Sequence, residues 1–143
     1  MVRSHAGSGS PGGSTMSAPD LAGAWALHGA TLGGDGEVLY EWDADLSISQ
    51  SRESIAVAIE TSGFKSSRSV SFAEKLTALP SGEWHLRYGY EADGDHAGTK
   101  PGQFFGLSQL TFAPDLQSAE GSSCNYNGRY VVIRLSATRK AAA

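Results

Sequence analysis

Trp84-His85-Leu86-Arg87-Tyr88-Gly89-Tyr90 decides the fold of this chain. Successive side chains of an extended backbone point to opposite faces, so Trp84, Leu86, Tyr88 and Tyr90 share one side and His85 and Arg87 the other. Aromatic residues spaced by two suit a pleated, half-buried surface; a helix of the same residues would scatter them around its circumference. The stretch is entered through the turn Pro80-Ser81-Gly82 and left through residues 91–106, a Gly-, Asp- and Pro-rich segment longer than a plain connection in a compact domain. Loops of that length commonly cover binding sites.

The same period of two recurs along the rest of the chain. The segment Leu21 to His28 ends at Gly33-Gly34-Asp35-Gly36, and Tyr40 to Gln50 sets Trp42, Ala44, Leu46 and Ile48 opposite Asp43, Asp45, Ser47 and Ser49. Ser54 to Thr61 aligns Ile55, Val57 and Ile59, and Ser67 to Leu76 sets Val70 and Phe72 opposite Ser69 and Ser71. Three more segments follow the long loop: Leu107 to Phe112, Gln117 to Ser123, and Arg129 to Ala137. No segment sustains a helical period. The pattern predicts an all-β fold, a compact eight-stranded antiparallel, up-and-down-like β-barrel, which removes sheet edges and leaves a lumen for side chains or one small ligand. Gly23-x-Trp25 in the first strand suits an indole that plugs one end of such a barrel.

The ends read differently. Residues 1–18 read as a Gly/Ser-rich leader or cloning scar, 19–139 as the β-barrel domain, and 140–143 as a short tail. With 143 residues, 18 Gly and 5 Pro, the chain suits one turn-rich domain. Its single cysteine, Cys124, excludes an internal disulfide and a cysteine zinc cage, and is expected to be a small buried or half-buried residue. A net charge of −4 argues against a duplex nucleic acid partner. No stretch is apolar for the length a membrane helix needs, so the chain as given is expected to be soluble.

Catalytic and metal chemistry find little support. His5, His28, His85 and His96 show no metal-ligand spacing, and no nucleophile elbow or cysteine–histidine pair appears, so no enzyme activity, metal or cofactor is expected. Asp43 and Asp45 read as a solvated strand face rather than an acid–base pair. A small barrel enzyme acting through His85 or Tyr88 would lack an acid–base partner.

Anion recognition is better supplied. The run from Glu60 to Phe72 concentrates hydroxyls around Lys65 and Arg68, groups suited to phosphate. Arg68, Arg87, Arg129 and Arg134 are candidates for a barrel mouth, while Trp84, Tyr88, Tyr90 and Tyr126 either stack on bases or fill the core. A nucleotide pocket requires both kinds of group. The rival reading is a lipocalin- or avidin-like carrier of a small hydrophobic ligand, which needs an apolar lumen.

Several blocks in order resemble one family: Leu21-Ala22-Gly23-Ala24-Trp25, Leu46 to Gln50, Ile55 to Thr61 with Ser67 to Phe72, Trp84 to Glu91, His96-Ala97-Gly98, and Tyr126-Asn127-Gly128-Arg129. Across residues 21–138 the chain is similar to the β-barrel sensor domain of the two-transmembrane CBASS effectors, the SMODS-associated β-barrel group of bacterial antiphage signalling. The resemblance implies a barrel that senses a cyclic dinucleotide, with binding coupled to self-association and to membrane disruption by two helices absent from this chain. It implies a cytoplasm-facing domain of an inner-membrane protein, trimmed to its sensor. Carried over by position, Ser67, Arg68 and Ser69 are candidates for phosphate contact, Tyr88 and Tyr90 for pocket walls, and Arg129 for a second phosphate or a base edge; Trp84 completes the ligand-binding set.

Overall fold

A computed structural model describes residues 18–61, 67–94, 102–126 and 129–141. The strands are β1 (Gly23–Leu32), β2 (Val38–Gln50), β3 (Ile55–Thr61), β4 (Ser67–Ala78), β5 (Trp84–Gly94), β6 (Gly102–Phe112), β7 (Ser118–Tyr126) and β8 (Tyr130–Arg139). Each pairs antiparallel with the next and β8 closes on β1, giving a closed barrel. The all-β, eight-stranded, up-and-down expectation holds. Several strands run further than their composition suggests. β5 continues through Ala92-Asp93-Gly94 because β4 and β6 both offer ladder partners there, and paired backbone groups outweigh the weak strand preference of Asp and Gly.

One end, here called the lower end, receives the chain termini and the turns after β2, β4 and β6. There the inward positions are apolar and the core is dry. Trp25 is fully buried, meets Phe112 edge-to-face at 5.2 Å and 74°, and donates from Nε1 to the Leu21 carbonyl at 3.0 Å. Leu27, Leu46, Ile48, Ile55, Leu86 and Leu110 surround this pair. Arg139 seals it: its guanidinium stacks over the Trp25 ring at 5.2 Å and donates to the carbonyls of Ala22 and Leu116 at 2.8 and 3.3 Å. Gln50 straps the incoming segment by accepting from Leu21 N at 2.9 Å and donating to Pro19 O at 2.7 Å. The plug read from Gly23-x-Trp25 is therefore present.

β4 carries the main irregularity. Its register with β5 shifts between Ser71 and Ala73, so Ser71 and Glu74 share the inward side while Phe72 and Ala73 both lie outside. The ladder between β3 and β4 stops at Ala58 opposite Val70, and the next available donor, Val57 N–H, is taken by Ser71 Oγ at 2.8 Å. A side-chain hydroxyl thus stands in for a missing ladder carbonyl.

Candidate functional site

Towards the upper end, where β3 hands over to β4, β5 to β6 and β7 to β8, the inward positions change character. Ser67 and Ser69 of β4, Ser71 and Glu74 at its bulge, Tyr88 and Tyr90 of β5, Ser108 of β6, and Ser123 and Asn125 of β7 face inward there beside the apolar Trp42, Ile59, Ala92, Phe104 and Ile133. The alternation has not changed; the residue types have. A polar lining inside a closed barrel is costly unless its groups find partners.

Most of them do. The Tyr90 hydroxyl lies 2.9 Å from Ser123 Oγ and accepts from Asn125 Nδ2 at 3.0 Å, linking β5 to β7 across β6. Ser71 donates to Glu74 Oε2 at 2.6 Å. Thr61 Oγ1 and Ser67 Oγ lie 2.9 Å apart, and Ser67 N donates to Thr61 Oγ1 at 2.7 Å, which closes the top of the β3–β4 seam. Trp42 Nε1 reaches Thr31 Oγ1 at 3.1 Å. The Tyr88 hydroxyl, by contrast, is buried without a hydrogen-bond partner. Burial pushes its phenol up to about 12, an effect the Ser108 hydroxyl across the ladder offsets only in part and without reaching bonding geometry.

The residues expected at a ligand site fall into three groups. Ser67, Ser69, Tyr88 and Tyr90 face inward in the upper half and come together there. Arg68 and Arg129 lie at the same end but are exposed, Arg68 on the outer wall in register with Glu60 and Asp93, Arg129 just ahead of β8. A strand cannot aim Ser67, Arg68 and Ser69 at one point, because its period of two sends the middle residue outward. Trp84 sits at the lower end opposite Ala78 and Phe112, six residues from Tyr90 and about 20 Å away along the strand. Lys65, His96, Ala97, Gly98, Asn127 and Gly128 lie outside the described residues.

Other expectations resolve plainly. Asp43 and Asp45 form no acid–base pair: Asp43 bonds His28 at 2.9 Å and Asp45 pairs with Lys140 at 2.7 Å on the outer wall. His85 also belongs to the outer side, bonded to Gln109 at 3.1 Å. Tyr126, Arg87 and Arg134 are outward and exposed. Cys124 was expected to be at least half-buried and is instead exposed, because Ser123 and Asn125 take the inward positions on either side of it. A concavity between β1, β7 and β8, with His28, Glu41, Glu120 and Arg134 on its walls, lies on the outer wall, away from the lumen and open to solvent.

Sequence reasoning missed Ser123, Asn125, Glu74, Ser108 and Thr31. For β7 the signal is in the chain: Ser123-Cys124-Asn125-Tyr126 alternates polar and apolar, and β7 runs to Tyr126, past the expected boundary at Ser123, so Asn125 belongs to the strand. Glu74 was not legible, since its inward orientation depends on the bulge that precedes it.

A closed barrel with a dry, aromatic-plugged base and a hydroxyl-, amide- and phenol-lined upper lumen is a small-ligand receptor rather than an apolar carrier. Residues 16–139 match the family model described as Cap15, cyclic dinucleotide receptor domain. The chain belongs to that family, which is a receptor family, and is the cyclic dinucleotide-sensing barrel of a bacterial antiphage defence effector. No curated protein matches the chain. Among the described residues, no helix is long and apolar enough to cross a membrane.

Proposed function

We propose that this barrel holds one cyclic dinucleotide at its upper end, with Ser67 and Ser69 donating to phosphate, Tyr88 and Tyr90 forming the wall against a base, and Arg68 and Arg129 reaching over the rim to the phosphates. Trp84, at the far end of the lumen, supports the plug instead. The observation that carries this reading is the shared hydrogen-bonding capacity of Tyr90, Ser123 and Asn125 beside the inward serines of β4. These groups match the amide-like edges of a base and the oxygens of a phosphate, and they are already positioned. Ligand binding would then be read out by self-association and passed to a membrane by helices outside this chain, placing the barrel on the cytoplasmic face of the inner membrane.

Calorimetry with cyclic di-AMP, cyclic di-GMP, cyclic GMP–AMP, linear dinucleotides, palmitate and biotin tests it. A cyclic dinucleotide is expected to bind in preference to the linear forms, and Ser69→Ala and Arg129→Ala are each expected to weaken it about tenfold or more, in line with a lost charge-assisted hydrogen bond of about 1.5–3 kcal/mol. Binding of palmitate without any cyclic nucleotide would overturn the reading.

A further inference from the structure

The upper half of this barrel is inside out. Opposite the inward serines of β4 and the inward Ser123 and Asn125 of β7, the outward side carries exposed apolar residues, and these line up in two rows across β4 to β8. β4 contributes Val70 and Phe72, 57% exposed; β6 contributes Phe105 and Leu107, 71% and 65% exposed. Between them β5 offers Gly89, where the Phe72 ring lies so close that a Cβ would fall 2.8 Å from its Cζ, so the apolar surface crosses β5 there, while in the neighbouring row exposed Glu91 stands between Val70 and Phe105. Leu107 stands in register with Cys124 of β7, and Cys124 with Val132 of β8. Tyr126 and Tyr130, 55% and 86% exposed, meet edge-to-face at 4.9 Å and complete the row above.

Monomeric soluble proteins rarely leave so large a contiguous apolar surface open to water. A stable contact between two chains removes on the order of 800 Å² from each, and seven large side chains at these exposures supply an area of that order. The charges on either side of β6 and β7 decide the occupant. On the β5 side Glu91 and Asp93 are exposed, with Arg68 in register with Asp93 and balanced by Glu60; on the β8 side Arg129 is exposed beside Tyr130. A face acidic at one end and basic at the other complements itself about a twofold axis running along β6 and β7. A uniformly anionic lipid surface would instead be repelled at the acidic end.

We infer that the outer face of β4 to β8, centred on Leu107 and Cys124, is the surface through which a second copy of this chain docks. The inference rests on the self-association reading above and names its surface. It also ties that surface to the lumen, because the β4 bulge places Ser71 inside and Phe72 outside in consecutive positions.

Sedimentation velocity over a concentration series, with and without cyclic di-AMP, cyclic di-GMP and cyclic GMP–AMP, tests it on the full chain. Wild type is expected to self-associate, more tightly with the nucleotide that binds. Leu107→Glu and Tyr130→Ser are expected to weaken association tenfold or more while leaving the thermal melt cooperative and, at concentrations low enough that wild type and variant are both monomeric, nucleotide affinity within about twofold of wild type; where wild type is assembled, its affinity exceeds theirs by the same factor by which nucleotide tightens its association. A short bis-maleimide is expected to join two chains through Cys124 in wild type and not in Leu107→Glu. Assembly of Leu107→Glu and Tyr130→Ser like wild type would overturn the inference. So would a wild-type chain that stays monomeric with nucleotide bound, or one that floats with phosphatidylglycerol vesicles as a monomer in a Leu107-dependent way. Nucleotide binding without association sinks the face and spares the sensing function; Leu107-dependent association without any nucleotide binding does the reverse.

Discussion

Gly106 makes room for Tyr90: a Cβ at position 106 would lie 2.6 Å from the Tyr90 hydroxyl and 2.4 Å from the Cys124 carbonyl oxygen. The glycine stands in register with both Tyr90 and Asn125, so the phenol crosses the inner wall of β6 to reach Ser123 and Asn125 on β7. The polar network of the upper lumen exists because one strand between its members has no side chain there.

Gly106→Ala is accordingly expected to displace the Tyr90 ring and strain the β6–β7 ladder. Overpacking of this kind costs about 1–3 kcal/mol. Chemical denaturation should show that loss, and calorimetry should show weakened cyclic dinucleotide binding in the protein that remains folded.

Tyr90→Phe keeps the ring and removes the hydroxyl that Ser123 and Asn125 share. Buried Ser123 and half-buried Asn125 lose their common partner, and stability is expected to fall by about 1–3 kcal/mol. The double variant Tyr90→Phe, Ser123→Ala should recover part of it, since it removes one of the orphaned groups; urea denaturation of the three proteins measures the coupling.

Tyr88 carries an alkaline limit on stability. Its phenol ionises at about 12 in the fold and at 10.0 when free, so its contribution is complete below pH 10 and is lost as pH rises from 10 towards 12. The loss is on the order of 3 kcal/mol. Tyr88→Phe is expected to flatten stability across that window and to leave neutral-pH stability within about 1 kcal/mol of wild type, because the hydroxyl it removes has no partner.

His28 sets a second pH dependence on the outer wall. Its ring lies 2.9 Å from Asp43 and 2.6 Å from Glu41, and these hydrogen bonds, Asp43 foremost, raise it above its ordinary value of 6.5. A raised value means that the stabilisation is fully present below pH 6.5 and fades as pH rises through the folded value. Melting temperature measured across that range should fall in wild type and stay level in His28→Gln, and a proton NMR titration should place the imidazole transition above 6.5.

The strands were legible because a barrel wall imposes a period of two that few other arrangements satisfy. Trp84 to Tyr90, Trp42 to Ile48 and Ile55 to Ile59 each show it, and Trp25 fell where a plug belongs. The site was legible only in part. Ser67 and Ser69 were found by their hydroxyls, but the same run included Arg68, which the strand turns outward, and Trp84 was joined to Tyr90 by neighbourhood in sequence when the length of β5 separates them. The inversion was also written in the chain, Ser69 and Ser71 against Val70 and Phe72, Ser123 and Asn125 against Cys124 and Tyr126. Alternation alone does not say which of two faces is inside.

The sequence by itself determined the eight strands, their alternation and their antiparallel order, because backbone pleat and turn chemistry are local. Only the tertiary structure decided which face of each strand became lumen, that Glu74 joins it past a bulge, and that Tyr90, Ser123 and Asn125 meet across Gly106. Those outcomes depend on closure and register, which fix how one strand's side chains meet those of strands far away in the chain. The dry lower core settles the matter: burying Trp25, Phe112 and the leucines around them commits every strand's parity, and the polar residues above follow inward on the same faces.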